Sequence, residues 1–305
     1  METKSQRGAR APGRVAGVGA VALGLCLGSS AWAAIPGTTL EPYAWFRADA
    51  ITGIADGGDV ATWADSSVNG RNATQNSNNL RRPSYRADGI AAGVPSVRFN
   101  INGDATNEFL AFAGPVANTA ASAMTAFVVA VDSGGRTGGT AARGTLISTR
   151  QGAAPTTNNG FVFGFGANPD VANYAQIGKA IEGGGTVQAS PMIGRGVSLL
   201  AVTRDGLTST LESYAGVNGT ANTVTWDGFL ASGQATTQIG TEAGANYFNG
   251  DIAEIVIFGS ALDGADHDAV TSYLGDKYGV AVPEPTAVTG LAGLAGWLMM
   301  RRRVR

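Results

Sequence analysis

The chain has 305 residues, only 14% of them charged, and a formal net charge of −2. Forty-five glycines and a single cysteine argue against a helical bundle and against a disulfide-braced scaffold. The weak acidic balance also disfavours nucleic acid as a partner, because nucleic-acid-binding proteins present clustered basic residues. Composition therefore favours a β-rich protein with many tight turns.

The first 33 residues have the three parts of a secretory signal peptide. Lys4 and three arginines precede an apolar or small-residue stretch over residues 15–27, and Ala31-Trp32-Ala33 provides the small-x-small cleavage pattern. We expect cleavage just before Ala34. The only cysteine, Cys26, follows a leucine rather than the small residue of a lipoprotein signal, so lipidation is disfavoured and the mature chain contains no cysteine.

Residues 34–281 form the predicted folded domain, whose length suits one β-sandwich or barrel. Four runs have strand length and are rich in β-branched or aromatic residues. They are Met124–Val131, Gly160–Phe165, Val197–Val202 and Asp251–Phe258. No repeat with a period of 20–50 residues is found, which argues against a solenoid or a propeller.

One helix is predicted after Ser260. Apolar residues recur at helical spacing over residues 262–274, Asp263 suits the N-cap, Lys277 suits the last turn and Gly279 suits the C-terminal end. The simplest architecture is a single domain of antiparallel strands with this helix at its C-terminal end.

The last 24 residues have three features in a fixed order. These are Val282, Pro283, Glu284 and Pro285, then an apolar run over residues 287–300, then Arg301, Arg302 and Arg303. Prolines interrupt regular structure, and a 14-residue run spans about 21 Å as a helix. The arginines would stay on the cytoplasmic side of a membrane. A simple single-pass tail anchor is the alternative interpretation.

This tail resembles the PEP-CTERM sorting signal. The resemblance implies that an exosortase-type enzyme in the inner membrane of a Gram-negative bacterium recognises the Pro-Glu-Pro motif, after transient anchoring by the transmembrane segment. It also implies that the protein ends at the cell surface or in the extracellular matrix of a polysaccharide producer. The two end segments hold eight of the 21 basic residues and two of the 23 acidic ones, so the rest carries about −8.

The folded part resembles the concanavalin A-like, laminin-G-like jelly roll of bacterial secreted proteins. The resemblance rests on two groups of motifs, at the start and at the end of the domain. The motifs are Tyr43–Asp49, Asp56–Gly58, Val60–Ser66, Asn69–Gly70 and Asn72–Thr74 at the start, and Gly250–Phe258, Leu262, Tyr273–Leu274 and Lys277–Gly279 at the end. It implies an all-β sandwich of two antiparallel sheets, in some members a structural calcium, and carbohydrate binding or adhesion.

Several residues of these motifs have two interpretations. Trp45 and Trp63 alternate with apolar neighbours, so we expect them to pack inside the fold rather than to stack on sugars. Asp65 and Asn69 favour turns, since their side chains bond to nearby backbone amides, and their oxygens are also candidate calcium ligands. Turn formation is the preferred interpretation.

Three tyrosines with amide or acidic neighbours are candidate sugar-binding residues. They are Tyr174, Tyr214 and Tyr247. Exposed aromatic rings stack on sugars while adjacent amides bond to hydroxyls, although tyrosines at strand ends are common in any sandwich.

No catalytic constellation is evident. Asp251 and Glu254 are three positions apart on one predicted strand, so we expect them on opposite faces and unable to act as a glycosidase pair. Glu212 is a third carboxylate of unknown placement. The sole histidine, His267, lies between two aspartates of the predicted helix and is expected to be solvated. No Gly-x-Ser-x-Gly motif occurs.

The sequence therefore predicts a non-enzymatic, exported surface or matrix protein that binds polysaccharide or another envelope component. A structural adhesion module without a saccharide site is the first alternative. A glycoside hydrolase is the second.

Overall fold

The computed structural model describes most of residues 35–283. The described ranges are 35–101, 107–116, 123–134, 143–149, 161–168, 171–179, 188–189, 196–206, 208–215, 222–226, 235–242 and 244–283. The predicted signal peptide, and the predicted sorting segment after Pro283, lie outside these residues.

Two antiparallel sheets form the domain, and each has eight strands within the described residues. The first sheet has the order β14-β13-β12-β7-β16-β5-β4, and β1 also pairs with β16. Its strands are β1 (Ala44–Arg47), β4 (Ser84–Ala91), β5 (Val94–Phe99), β7 (Met124–Asp132), β12 (Ser198–Asp205), β13 (Thr208–Ala215), β14 (Asn222–Trp226) and β16 (Gly250–Phe258).

The second sheet has the order β11-β10-β9-β8-β15-β6-β3-β2. Its strands are β2 (Thr62–Trp63), β3 (Ala73–Thr74), β6 (Leu110–Ala113), β8 (Arg143–Ser148), β9 (Phe161–Asn168), β10 (Val171–Lys179), β11 (Gln188–Ala189) and β15 (Thr236–Ile239). Two short 3₁₀ helices, Ala48–Ala50 and Asn79–Arg81, lie between strands near the N-terminal end.

The main core lies between the two sheets. Alternate residues point into it on strands such as β1, β6 and β7, as the two-residue period of a strand requires. On β9 these are Phe161, Phe163 and Phe165, and Phe165 stacks on Phe248 with ring centroids 5.9 Å apart. The sandwich predicted from the sequence is confirmed.

A third layer covers the outer face of the first sheet. Helix α1 (Gly264–Tyr278) packs Val270 and Leu274 into a second apolar cluster with Phe127 and Phe258. The side chain of Asp263 accepts a hydrogen bond from the Asp266 amide at 3.0 Å and so caps the helix. The predicted helix is thereby confirmed, with its end at Gly279.

Gly279 closes the helix in the left-handed conformation, with φ 66°. The chain then turns back, and the Val280 amide bonds to the carbonyl of Gly275 at 3.0 Å. Val280 is buried and Val282 packs against the same cluster, whereas Pro283 is exposed. The first residue of the predicted sorting motif, Val282, is therefore part of the packing beneath the helix.

A β-bulge interrupts β16 between Ile252 and Glu254. Ile252 pairs with Ala130 and Glu254 pairs with Val129, so Ala253 has no counterpart on β7. Ala253 and Glu254 consequently both face the helix side, and the alternation resumes with Ile255 in the core.

Gly250 begins β16 with φ 155°, and a Cβ there would overlap the carbonyl oxygen of Val131. We expect Gly250→Ala to lower the free energy of unfolding by more than about 2 kcal/mol, since strain and overlap add. Gly70→Ala is the control, because Gly70 also has a positive φ but open space around it, and should cost about 1 kcal/mol. Equal losses in urea denaturation would contradict the close approach at Gly250.

Candidate functional site

The carboxylate of Glu254 is buried between the first sheet and helix α1, with no solvent exposure. One oxygen accepts hydrogen bonds from Trp45 Nε1 at 2.6 Å and from the Tyr273 hydroxyl at 3.2 Å. The other accepts from Lys277 Nζ at 2.6 Å and from the Tyr278 hydroxyl at 2.7 Å. Four donors therefore satisfy a charge that would be very costly to bury alone.

A second ion pair extends this network to the protein surface. Lys277 Nζ also lies 3.0 Å from Asp49, which Arg47 binds through two nitrogens at 3.0 and 3.1 Å. Burial alone would raise the pKa of Asp49, but the hydrogen bonds and charges of Arg47 and Lys277 outweigh it and hold that pKa below its ordinary value. The guanidinium of Arg47 in turn lies over the Trp45 ring, 5.0 Å from its centroid.

These contacts join the two groups of motifs on which the family resemblance rests. Trp45, Arg47 and Asp49 come from the start of the domain, whereas Glu254 and Lys277 come from its end. The network fastens α1 and β1 to β16, so these residues have a structural role. Trp45 and Trp63 are both buried, as predicted.

Asp251 lies on the same outer face as Glu254, so the prediction that they point to opposite faces is wrong. The bulge at Ala253 inserts one extra residue between them, so both side chains point to the same face. Asp251 has its own partners: Ser96 Oγ donates to it at 2.6 Å, and Arg98 binds both of its oxygens, the shortest distance being 2.7 Å.

Glu212 and His267 form a third polar contact under the helix. His267 Nε2 lies 3.1 Å from Glu212, and its ring packs on Phe127 with centroids 5.0 Å apart. Only 14% of the His267 side chain is exposed, so the expectation that it is solvated is wrong. Burial pushes the pKa of Glu212 up, but His267 and the Tyr214 hydroxyl reverse this and leave the pKa lowered.

Glu212 is too far from Asp251 and Glu254 to form a glycosidase pair with either. Glu212 is in register with Ala201, Phe127 and then Val256, which places it three strands away from β16. Three strand spacings are about 14 Å, whereas paired catalytic carboxylates are about 5–9.5 Å apart. Each carboxylate is in addition held by its own donors.

Asp65 and Asn69 do not fit a calcium site. One oxygen of Asp65 accepts from the amides of Trp45 and Ser67 at 2.8 and 2.9 Å. The other accepts from Ser67 Oγ and the Arg71 amide at 2.8 and 2.7 Å. The amide nitrogen of Asn69 donates to two backbone carbonyls. Turn formation, the preferred interpretation, uses the oxygens that a cation would need. The described residues also contain no group of three or more metal-ligating side chains.

The candidate sugar-binding tyrosines are not gathered in one place. Tyr214 is only 4% exposed, lies in the cluster beneath α1 and donates its hydroxyl to Glu212 at 3.0 Å. Tyr247 is 8% exposed. Both tyrosines therefore lack the open ring face that stacking on a sugar requires. Tyr174 lies on β10 opposite Gly166, and its side chain lies outside the described residues.

The outer face of the second sheet carries a different set of side chains. A single row in direct register crosses seven strands, from β2 at one edge to β10. Its members are Thr62, Thr74, Ala111, Gln238, Ser148, Val162 and Gly178. We call these residues the cross-strand row. Adjacent to it on the same face are Thr236 opposite Ala113, and Thr145 opposite Gly164.

The cross-strand row is accessible over only part of its length. Thr62 is exposed, and Thr74, Ala111 and Gln238 are half-buried. Ser148 and Val162, which continue the row on β8 and β9, are buried. The accessible floor thus spans β2, β3, β6 and β15 and ends at β8. This surface gives no signal along the sequence, because β2 and β3 have only two residues each, too few to show a period.

The residues of the sorting motif fall at the limit of the described chain. Val282 is half-buried and Pro283 is exposed, while Glu284, Pro285 and the three arginines Arg301, Arg302 and Arg303 lie outside the described residues. Helix α1, the α-helix of the described part, is too short and too polar to cross a membrane.

Models of known protein families give no match to the chain, and neither do curated proteins. Solved structures do give matches. A GH54 α-L-arabinofuranosidase soaked with a cyclic sulfate inhibitor has a TM-score of 0.52 at 12% identity, covering 74% of this chain and 52% of that one. An arabinofuranosidase complexed with arabinofuranosyl-α-1,2-xylobiose has a TM-score of 0.50 at 11% identity and the same coverage.

Domain 4 of an extracellular arabinanase from Geobacillus stearothermophilus, in complex with arabinotriose, has a TM-score of 0.48 at 14% identity. That match covers 76% of this chain and 98% of the arabinanase domain. The arabinofuranosidase matches span only about half of those proteins. At such low identity the likeness shows a shared β-sandwich fold and no more.

Replacing Lys277 by Met should lower the free energy of unfolding by about 3 kcal/mol, because Glu254 then keeps a buried charge without its cationic partner. Arg86→Met is the matched control. The Arg86–Asp56 pair is exposed, 3.7 Å long, and should contribute less than about 1 kcal/mol. Urea denaturation of both variants measures the difference, and similar losses would contradict the fastening role of Lys277.

Alkaline pH should also weaken the Glu254 network. Burial raises the pKa of Tyr278, and the charge of Glu254 raises it further. Burial lowers the pKa of Lys277, but Glu254 outweighs burial and leaves that pKa raised. The folded state therefore keeps protons that the unfolded chain loses near pH 10, and stability falls as pH rises from about 9 to 11.

The urea midpoint should decline less steeply over that range in Tyr278→Phe, because one of these protons is absent. Tyr85→Phe, outside the network, should follow the wild-type slope. An unchanged slope in Tyr278→Phe would show that the phenol does not contribute.

Proposed function

We propose that this chain is an exported, non-enzymatic protein of the cell surface or extracellular matrix, whose sandwich binds a polysaccharide or another envelope component. The observation that carries the proposal is the outer face of the second sheet. Helix α1 covers the outer face of the first sheet, whereas the second sheet presents Thr62, Thr74 and Gln238 on a broad, partly accessible floor. Side chains of this kind exchange hydrogen bonds with sugar hydroxyls.

The structural neighbours support this proposal. The arabinofuranosidase that shares the fold was solved with arabinofuranosyl-α-1,2-xylobiose, and the bacterial arabinanase domain was solved with arabinotriose. A protein that shares this fold over part of its length therefore takes a saccharide ligand, although fold alone does not assign a ligand to this chain.

Export and processing form the second part of the proposal. The signal peptide over residues 1–33 would direct the chain across the inner membrane, and the tail over residues 282–305 would anchor it there until an exosortase-type enzyme acts at Pro283, Glu284 and Pro285. This part rests on the sequence. The adjoining structure supports it in one respect, because Pro283 is exposed, as access by a processing enzyme requires.

A structural adhesion module without a saccharide site is the second candidate, and the burial of Tyr214 and Tyr247 favours it. A glycoside hydrolase has less support, because Glu212 lies three strands from Asp251 and Glu254, and each of the three carboxylates is held by its own donors.

Binding of the purified protein to a panel of soluble and insoluble polysaccharides, including the extracellular polysaccharide of the producing strain, tests the proposal. We expect retention on at least one polysaccharide. Tyr247→Phe should leave it unchanged, because the buried ring does not stack on the ligand. Retention that fails on every polysaccharide, while the protein still associates with the extracellular matrix, would favour the adhesion module. Release of reducing sugar would identify a hydrolase.

A further inference from the structure

We propose that the ligand of the second sheet is an uncharged, extended polysaccharide that lies across the strands, along the cross-strand row. This inference rests on the proposed function and deepens it, by naming the class of saccharide and the direction in which it lies.

The direction follows from the register of the sheet. Each member of the row is the direct Cα partner of the next, so the row runs perpendicular to the strands without a lateral step. Neighbouring strands are about 4.8 Å apart, so the four accessible strands β2, β3, β6 and β15 span about 14 Å and the whole row about 29 Å. An extended chain of several sugars fits this length better than a single sugar does.

The shape of the floor also favours an extended ligand. Ala111 and Ala113 separate the hydroxyl and amide side chains with short methyl groups, so the surface between Thr74 and Gln238 is low. The accessible floor is bounded on one side by β8, where Ser148 is buried.

The chemistry of the row is uncharged. Its accessible polar members, Thr62, Thr74 and Gln238, have side chains that donate and accept hydrogen bonds, as sugar hydroxyls also do. No described member of the row is acidic or basic. Arg71 lies at the border of this face, but its guanidinium stacks on the Tyr43 ring at 4.0 Å and donates to the Ala113 carbonyl at 3.3 Å.

Overall charge gives the same preference. Between the two predicted cleavage regions the chain carries about −8, which repels a polysaccharide rich in uronic acid or sulfate groups. A neutral polysaccharide meets no such repulsion.

The test measures binding of the full chain to two neutral polysaccharides, a linear arabinan and a β-glucan, and to two anionic ones, alginate and polygalacturonate. Isothermal titration calorimetry at low and moderate salt gives each Kd. We expect binding to at least one neutral polysaccharide, with little dependence on salt, and at least tenfold weaker binding to both anionic ones.

Variants locate the site. In Thr62→Val/Thr74→Val two hydroxyls are lost while strand propensity is kept, so we expect roughly a tenfold rise in Kd, as the loss of two hydrogen bonds would give. Thr74→Arg, which places a long charged side chain on the floor, should abolish binding. Thr210→Val, on a strand of the first sheet, is the matched control and should leave Kd unchanged. Circular dichroism and the thermal midpoint confirm that each variant is folded.

The outcomes separate this inference from the proposed function. Neutral binding that the row variants leave unchanged would place the saccharide elsewhere and overturn the inference alone. Tighter binding of an anionic polysaccharide would also overturn it alone. If the protein bound none of the four polysaccharides and also did not bind the polysaccharide of the producing strain, the inference and the proposed function would both be overturned.

Discussion

A carboxylate with no access to water holds this domain together. The buried charge of Glu254 requires hydrogen-bond donors. One of its four donors comes from β1 and three come from the last two turns of α1. Since β1 opens the domain and α1 closes it, one buried charge ties the start of the fold to its end. The two terminal groups of motifs, which are far apart in the sequence, therefore meet here in space.

The covering of the first sheet by α1 determines which surface remains for a ligand. The helix packs its apolar side chains on the first sheet and places His267 and Lys277 over the two carboxylates Glu212 and Glu254. That face becomes interior, including Tyr214. The outer face of the second sheet has no such layer over Thr62 or Thr74, and for this reason the functional proposals are placed there.

Much of the architecture was predictable from local patterns. β-Branched and aromatic runs marked β7, β9, β12 and β16, and capping residues marked α1 to within a few positions, because these signals act over a few residues. The burial of Trp45 and Trp63 also followed from alternation. The cross-strand row could not be predicted in this way. It is assembled from seven strands, and a row across a sheet leaves no pattern along the chain.

Other predictions from the sequence were wrong because tertiary contacts decide where a side chain lies. Tyr214 has polar neighbours in sequence, yet the helix buries it. His267 lies between two aspartates, yet its own side chain turns to Glu212 and Phe127. The prediction that Asp251 and Glu254 point to opposite faces was wrong because a single unpaired residue, Ala253, brings them to the same face.

Ala253 also makes β16 tolerant of a change in length. Without it, the regular two-residue period alone would keep both acids on the helix side and both flanking isoleucines in the core. An alignment of related sandwiches should therefore admit a one-residue gap at this position, with Asp-Ile-Glu in one chain equivalent to Asp-Ile-Ala-Glu in another.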